Sequence, residues 1–420
     1  MTRLQQQAYR LLRWSERHTK TDMIYLARGG FWLLAGQVGG ALLSLGVAVV
    51  LAHALSRETY GDYKYILSVL SLLTITSLQG LSPAITRSVA QGNEGGLTQA
   101  LVLRIKWGLL GLGIGILGAI YSYWQHNQTL TLTYAVIALA APLFDSLKIY
   151  DAFLRGKKLF QPSSILQFIS KAITSAALVL TVLISKNLTI IIASYCLIFI
   201  ICELLIYRYV KNKYVQNSYT DPATASYGKH LSLNALVGTA AAYLDKLLVY
   251  YLLGPVPLAV YSYAIAIPEQ LKAGQKALDL LIFPKFAANQ ADEIQAGIVG
   301  KFWRLFLLYA TLAAAYIIAA PWLFQWLFPQ YNDAVIYSQL FALSIVGAAI
   351  NPAFTYLQAK KKIKAQYLNN TLTAVFQIAI MIVMIIQWGL LGLIIARIIT
   401  RFVSAGLNLF FYHYSKSSLD

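Results

Sequence analysis

The sequence predicts an all-α membrane protein of twelve transmembrane helices, and composition, apolar run length and charge distribution each support that prediction. Of the 420 residues, 58% are hydrophobic and 12% are charged, and the mean hydropathy is +0.60. Soluble domains are about 45–50% apolar and about one quarter charged. A soluble globule of this composition would expose most of its apolar side chains to water. A soluble enzyme fold and a disordered chain are therefore both excluded.

Twelve apolar runs are each long enough to cross a bilayer, which requires about 20 residues per helix. The first six are residues 29–54, 64–85, 103–123, 130–154, 163–185 and 187–207. The last six are residues 230–253, 258–284, 302–324, 334–358, 366–387 and 389–412. The chain is therefore predicted to contain a leader (1–28), a first six-helix lobe (29–207), a linker (208–229), a second six-helix lobe (230–413) and a tail (414–420).

Basic residues between the spans predict the orientation, because cytoplasmic loops are enriched in Lys and Arg. The chain has 34 Lys and Arg residues against 16 Asp and Glu, a formal net charge of +18. With both termini in the cytoplasm, most basic loop residues, including Arg87 and Arg104, are cytoplasmic, and the external loops contain only Arg57, Lys64 and Lys186. Topology thus accounts for the positive charge, and no nucleic-acid partner is expected.

A weak internal repeat indicates two equivalent halves. Leu55, Tyr63 and Tyr65 recur with the same spacing as Leu253, Tyr261 and Tyr263, each set at the exit from an odd-numbered span. An even number of helices per repeat gives parallel halves related by an axis along the membrane normal. Two such halves would leave a cleft between them, and rocking would open it to each side in turn.

Charged residues inside span eight form the first candidate site. A charge that faces lipid at the centre of a helix costs about 2.5–3.5 kcal/mol, so such residues must pair or line water. Glu269, Lys272, Lys276 and Asp279 follow one another at intervals of three or four, which places them on one helical stripe. The stripe either faces the cleft or neutralises itself in the pairs Glu269–Lys272 and Lys276–Asp279.

A second group of charges lies in spans four and five. Asp145, Lys148 and Asp151 form a similar stripe in span four, and Lys171 lies at a comparable depth in span five. The pattern predicts a charge cluster in the first lobe. The cluster either lines water or consists of ion pairs between the two helices.

The intramembrane lysines favour an anionic ligand, because a compact ammonium group binds phosphate as a point charge. Asp245 and Lys246 are adjacent in span seven, so at most one faces the cleft. Arg397 in the last span reaches either Glu203 or a phosphate. A ligand with a diphosphate between a lipid tail and a sugar head group would need such cations.

The sequence contains no signature of an enzyme or of a bound cofactor. No phosphate-binding loop, zinc signature or serine elbow occurs, and every external loop is short. Cys196 and Cys202 are predicted to be core residues. Without an energy-coupling domain, any transport is expected to be secondary or passive.

Two stretches of the sequence resemble a known family. Leu51 to Gly92 contains Leu55, the element Tyr60-Gly61-Asp62-Tyr63 and, after the second span, Arg87; Asp245 to Ala264 contains an Asp…Leu-Gly…Ala-x-Tyr passage. Both stretches are similar to polysaccharide-biosynthesis exporters. These are the Wzx-type O-antigen flippases of the multidrug/oligosaccharidyl-lipid/polysaccharide (MOP) superfamily, which has a MATE-like fold.

The resemblance implies a carrier in the bacterial inner membrane that moves an undecaprenyl-diphosphate-linked oligosaccharide by alternating access. It also implies a cationic cleft between the lobes, lined mainly by spans one, two, seven and eight. The expected substrate-binding residues are Lys272, Lys276, Lys246, Lys148, Lys171 and Arg87. The residues expected to couple an H⁺ or Na⁺ gradient, or to pair charges, are Asp245, Glu269, Asp279 and Asp145. A monomer is expected, with the polysaccharide polymerase or chain-length machinery as a partner.

Three alternatives stay open at this stage. A MATE-like cation-coupled antiporter would share the architecture, but those proteins commonly use acids in the first lobe, and span one contains none. A polysaccharide polymerase is the enzymatic alternative, and the short external loops disfavour it. A major-facilitator transporter would also have two six-helix halves, but the segment from Arg87 to Lys106 lacks the Gly-x-x-x-Asp-Arg loop of that family.

Overall fold

The computed structural model describes residues 23–288, 291–350 and 363–417, and within these ranges the chain is almost entirely helical and has no strand. The first nine helices are α1 (Met23–Ala54), α2 (Arg57–Leu73), α3 (Leu81–Ala90), α4 (Gly96–Trp124), α5 (Gln128–Phe144), α6 (Ile149–Gly156), α7 (Phe160–Ile184), α8 (Leu188–Tyr214) and α9 (Ala223–Leu253). The other four are α10 (Pro255–Ala288), α11 (Ala291–Leu327), α12 (Ala334–Ala342) and α13 (Ile363–Ser417). Short 3₁₀ segments are Thr74–Ser77, Ser146–Lys148, Pro329–Tyr331 and Leu343–Ile350.

Wherever the structure describes them, the twelve predicted spans lie on helical segments, which confirms the all-α membrane fold. Over the described residues, eight helices are long and apolar enough to cross a membrane, and a pair bent by 48°, Arg57–Ser77 with Leu81–Ala90, adds a ninth. The helix α13 is two helices joined at Gly389, where φ is 57° and ψ is −136°. Glycine adopts this backbone conformation readily, and other residues do not. The break falls where the sequence separates the last two predicted spans. The cytoplasmic location of the termini stays a prediction.

Over the described residues, three of the predicted continuous spans are broken, and in span ten, predicted at 334–358, α12 is followed by the 3₁₀ segment Leu343–Ile350. Span two, predicted at 64–85, begins at Arg57 and bends at Leu78, which has a left-handed backbone with φ 53°. Span four, predicted at 130–154, is interrupted by the 3₁₀ segment Ser146–Lys148. Pro142, one turn earlier, has no N–H to donate within the helix. The predicted stripe in span four therefore does not run along one regular helix.

Side-chain caps define the starts of three helices. Ser56, Asn127 and Asn187 each accept a hydrogen bond from a backbone N–H in the first turn of α2, α5 and α8, at 3.2, 3.0 and 2.9 Å. The first N–H groups of a helix have no partner inside it, so a capping oxygen stabilises the helix by about 1 kcal/mol. These polar residues follow apolar runs and end them sharply.

The chain forms two compact units. One, the N-unit, comprises Leu42–Ser262, and the other, the C-unit, comprises Met1–Ala41 and Tyr263–Asp420. Within the N-unit, α9 packs against α2 and α3. The described part of the C-unit has a core in which the Tyr316 hydroxyl and the Ser338 hydroxyl lie 2.6 Å apart. The predicted division into lobes at 207 and 230 stays a prediction.

A buried carboxylate joins three loops of the N-unit. The Oε1 atom of Glu94 lies 2.8 Å from the ammonium of Lys157, and its Oε2 accepts a hydrogen bond of 2.5 Å from the N–H of Gln216. The same ammonium donates to the carbonyl of Tyr214 at 2.7 Å. Glu94 is 6% exposed. The loop after α3, the loop after α6 and the segment after α8 are thereby held together.

Glu94→Gln is expected to destabilise the protein at neutral pH, because it leaves the ammonium of Lys157 without its carboxylate. Burial raises the pKa of Glu94, but the hydrogen bonds from Lys157 and Gln216 together lower it by more. The net pKa is therefore below the usual 4.5. A lowered carboxyl pKa stabilises the fold above the usual value, and this stability is lost as the pH falls through the folded-state pKa. The difference in unfolding temperature between wild type and variant should therefore shrink below about pH 4. A difference that does not depend on pH would contradict this assignment.

Candidate functional site

The N-unit contains a partly open polar cavity of about 600 Å³, here called the N-unit cavity. Residues of α3, α4, α6, α7 and α8 line it, together with the 3₁₀ segment Ser146–Lys148. Its charged lining residues are Arg104, Asp145, Lys148, Asp151, Lys171 and Glu203. Ligand sites in proteins usually occupy about 300–1,000 Å³. The cavity is thus large enough for a small polar ligand or for the head group of a larger one.

Two of the three carboxylates in the cavity lining are held by arginines. The guanidinium of Arg104 lies 3.7 Å from the carboxylate of Asp145, and it donates to the backbone carbonyl of the same residue at 3.0 Å and to the hydroxyl of Ser82 at 2.9 Å. The carboxylate of Asp151 lies 2.9 Å from the guanidinium of Arg155, one turn along α6. These ion pairs neutralise Asp145 and Asp151, and neither pair uses a lysine.

The two predicted lysines of the first lobe both line the N-unit cavity. The ammonium of Lys148 lies 4.8 Å from the ring centroid of Phe199, a cation–π distance. Among the described residues, neither Lys148 nor Lys171 has a carboxylate oxygen within 4.0 Å of its ammonium, and the two ammonium groups repel each other. The sequence left open whether these lysines line water or form ion pairs between spans four and five. Over the described residues, they form no such ion pair. The arrangement suits an anion placed near both of them.

The third carboxylate of the lining, Glu203, is almost completely buried, with 3% of its surface exposed. Its Oε1 accepts a hydrogen bond of 2.6 Å from the hydroxyl of Ser170. Beside it, the rings of Phe144 and Phe199 are stacked with centroids 4.3 Å apart. The cavity therefore combines cations, a buried acceptor and aromatic faces.

Arg104 belongs to this cavity, although the sequence places it in a cytoplasmic segment. The helix α4 begins at Gly96, so Arg104 lies two turns inside it, and only 2% of its surface is exposed. Lys64 was similarly predicted in an external loop, whereas α2 begins at Arg57 and contains it. Basic residues near the ends of apolar runs are normally counted as loop residues, so the sequence offered no signal for their inward location.

Comparison with known proteins identifies the family. The family described as polysaccharide biosynthesis protein matches residues 26–268, more than half of the chain. The chain belongs to this family. A relative from Shigella flexneri, described as "Putative O-antigen transporter", is 21% identical over 388 residues, which cover 87% of this chain and 93% of that protein.

Solved structures show that this polysaccharide biosynthesis family member has the fold of MATE transporters. An inward-facing multidrug resistance MATE family transporter of the MOP superfamily matches 90% of this chain and 95% of its own, with a TM-score of 0.69 at 12% identity. The outward-facing MATE structure matches 94% and 96% at 12% identity, with a TM-score of 0.67. A MOP superfamily transporter from Pyrococcus furiosus matches 94% and 96%, with a TM-score of 0.66 at 13% identity. The protein is therefore a multi-pass membrane protein with a MATE-like fold, as its sequence predicted.

The element Tyr60-Gly61-Asp62-Tyr63, which carries the family resemblance, has a packing role in this family member. Tyr60 and Tyr63 are 1% and 4% exposed, and Asp62 accepts a hydrogen bond of 2.8 Å from the hydroxyl of Tyr250. A Cβ atom at Gly61 would overlap the backbone carbonyl of Pro255 at the start of α10. The glycine thus allows α2 and α10 to approach closely within the N-unit.

Three other predicted site residues lie elsewhere in the N-unit. The guanidinium of Arg87 lies 5.5 Å from the ring centroid of Tyr227, at the start of α9. Lys246 lies over the ring of Tyr243 at 5.6 Å, and it also repels Lys64. Asp245, with no exposed surface, accepts a hydrogen bond of 2.6 Å from the hydroxyl of Tyr261. None of these residues lines the N-unit cavity.

The remaining predicted residues belong to the C-unit. Glu269 lies 3.1 Å from the guanidinium of Arg397 and also pairs with Arg401. Arg397 thus reaches Glu269 rather than Glu203, the partner considered from the sequence. Lys272, Lys276 and Asp279 lie outside the residues whose side chains are described. The predicted stripe on span eight therefore remains a prediction.

Proposed function

We propose that this transporter moves an undecaprenyl-diphosphate-linked oligosaccharide from the cytoplasmic to the periplasmic leaflet of a bacterial inner membrane by alternating access. The observation that carries the proposal is the pair Lys148 and Lys171 in one cavity, without a carboxylate at ion-pairing distance from either among the described residues. Two such cations in a low-dielectric interior favour an anion that carries more than one charge, as a diphosphate does.

The rest of the cavity lining suits a sugar attached to that diphosphate. Phe199 and Tyr195 provide aromatic faces, and Gln79 and Gln167 provide amide donors and acceptors. Flat apolar rings with a few polar groups are typical of sites that bind polar organic ligands. The description of the Shigella flexneri relative as an O-antigen transporter supports the same class of substrate.

The carboxylates in the described residues suggest where an ion gradient would be coupled. Asp145 and Glu269 each form an ion pair with an arginine, and the guanidinium group competes with a transported cation for the carboxylate. Asp245, a fully buried carboxylate in the second half of α9, accepts hydrogen bonds from the hydroxyl of Tyr261 and from the N–H of Lys246. We assign coupling to H⁺ or Na⁺ to Asp245. Dissipating each gradient separately during the transport assay identifies the ion.

The further elements of this proposal concern topology and assembly. Cytoplasmic termini follow from the basic loops, and a monomer is proposed as the working unit. The polysaccharide polymerase or chain-length machinery is proposed to receive the product. Lys272 and Lys276 are proposed as further cations for the same diphosphate.

Wild-type protein in lipid vesicles is expected to move a fluorescent undecaprenyl-diphosphate-linked oligosaccharide between leaflets. Accessibility of the fluorophore to dithionite measures the movement, and vesicles without protein are the control. The cationic site predicts that ethidium, a cationic drug, is not accumulated by the same vesicles. Ethidium transport without lipid movement would contradict the proposal and favour a cation-coupled antiporter.

A further inference from the structure

The N-unit cavity contains two buried polar atoms without hydrogen-bond partners among the described residues, Oε2 of Glu203 and Nε of Arg104. Glu203 is 3% exposed and Arg104 is 2% exposed. Buried polar groups in folded proteins nearly always have a partner, so each exception needs a physical reason. A ligand that fills the cavity would supply one.

The other two carboxylates of the cavity lining do not share this property. Oδ1 of Asp151 accepts hydrogen bonds from Ser163 at 2.5 Å and Gln167 at 2.6 Å, and its Oδ2 pairs with Arg155. Asp145 is paired with Arg104. Among the carboxylates of this lining, Glu203 is therefore the one with a buried oxygen that accepts no hydrogen bond of good geometry from the described residues, although the hydroxyl of Tyr150 lies near enough to interact with the carboxylate.

Lys148 does not form an ion pair with this carboxylate. Lys148 attracts Glu203 electrostatically, but no oxygen of Glu203 lies within 4.0 Å of its ammonium. Glu203 repels an anion held by Lys148 and Lys171, and a neutral donor of the same ligand that faces the carboxylate offsets this repulsion with a hydrogen bond. A sugar hydroxyl or amide N–H next to the phosphate is such a donor.

We infer that Glu203 recognises the sugar next to the diphosphate. Its Oε2 accepts a hydrogen bond from a hydroxyl or amide N–H of that sugar. The inference rests on the proposed function and adds a specificity-determining residue to it. The Ser170 hydroxyl holds Oε1 and so fixes the carboxylate, and the ring of Phe199 lies in the same lining. A ligand that carries only phosphate would leave Oε2 unpaired.

The test compares the binding of glucose 1-phosphate, N-acetylglucosamine 1-phosphate and inorganic phosphate to the full chain in nanodiscs by titration calorimetry. Wild type is expected to bind the better sugar phosphate about tenfold more tightly than inorganic phosphate, the worth of one hydrogen bond to a charged group. In Glu203→Gln the amide oxygen can keep the hydrogen bond from Ser170, so that an NH2 donor takes the place of Oε2, and this ratio should fall to nearly one. Glu203→Asp keeps the charge but shortens the side chain by one methylene, which moves the carboxylate away from the ligand. This variant should also lower the ratio.

Asp151→Asn is the matched control, because it removes a carboxylate charge from the same lining whose oxygens are already engaged. It should change the affinity for all three probes equally and leave the ratio as in wild type. Equal affinity of the wild type for sugar phosphates and inorganic phosphate would mean that only water meets Oε2, and it would overturn the inference while leaving the cationic site intact. Absence of binding by every probe would overturn the proposed function as well.

Discussion

Replacing Lys148 and Lys171 together by alanine is expected to abolish surface polysaccharide export in a host whose own transporter is deleted. The double variant removes both ammonium groups that lack a carboxylate partner in the N-unit cavity. Each charged hydrogen bond to a phosphate is worth about 1.5–3 kcal/mol, so losing two weakens substrate binding by about a hundredfold or more. Surface polysaccharide is measured on gels of cell extracts, at matched membrane levels of the protein.

Two further variants separate charge in the cavity from charge in general. Lys213→Ala removes an exposed lysine at the end of α8, whose ammonium donates a hydrogen bond of 2.7 Å to the hydroxyl of Tyr209. This variant should export polysaccharide normally. The double variant Lys148→Arg and Lys171→Arg keeps both positive charges and should retain part of the export. Normal export by the double alanine variant would show that these lysines do not bind the substrate.

Gly61→Ala is expected to lower the unfolding temperature of the protein markedly. The added Cβ would overlap the carbonyl oxygen of Pro255 and lie 2.8 Å from its Cα. Backbone atoms cannot rotate away as a flexible side chain does, so α2 and α10 must move apart. Overpacking of this kind costs about 3 kcal/mol. Thermal unfolding followed by tryptophan fluorescence in detergent measures the shift.

Gly113→Ala in α4 is the matched control for this substitution, because no atom lies within 4 Å of the Cβ that it adds. Alanine favours a helix over glycine by about 1 kcal/mol, so this variant should be as stable as wild type or slightly more stable. Equal unfolding temperatures for the two variants would show that the contact of Gly61 with Pro255 does not hold α2 in place.

The sequence predicted the helices well because each transmembrane helix must bury a run of about 20 apolar residues. Even the junction at Gly389 coincides with the predicted boundary between the last two spans. The bend at Leu78 and the 3₁₀ segment Ser146–Lys148 were not predicted, because hydropathy is averaged over a whole span and does not register a break of one turn. The position of Lys64 inside α2 was missed because a basic residue at the end of an apolar run is normally counted with the loop.

The site was predictable only in part. Periodicity placed Lys148 and Lys171 at a similar depth in the first half of the chain, and the structure brings them to one cavity. The partner of Asp145 depends on how far the side chain of Arg104 reaches across from α4, which no spacing within α5 encodes. The pairing of Glu269 with two arginines depends on packing between distant helices in the same way.

The ammonium groups of Lys148 and Lys171 in the N-unit cavity are proposed to hold the phosphates of a lipid-linked sugar. Cryo-electron microscopy of the protein in nanodiscs with undecaprenyl-diphosphate-linked oligosaccharide tests this proposal most directly. Density for the diphosphate between the side chains of Lys148 and Lys171 is the expected result. Diphosphate density at another site, with only water beside these two lysines, would contradict the account.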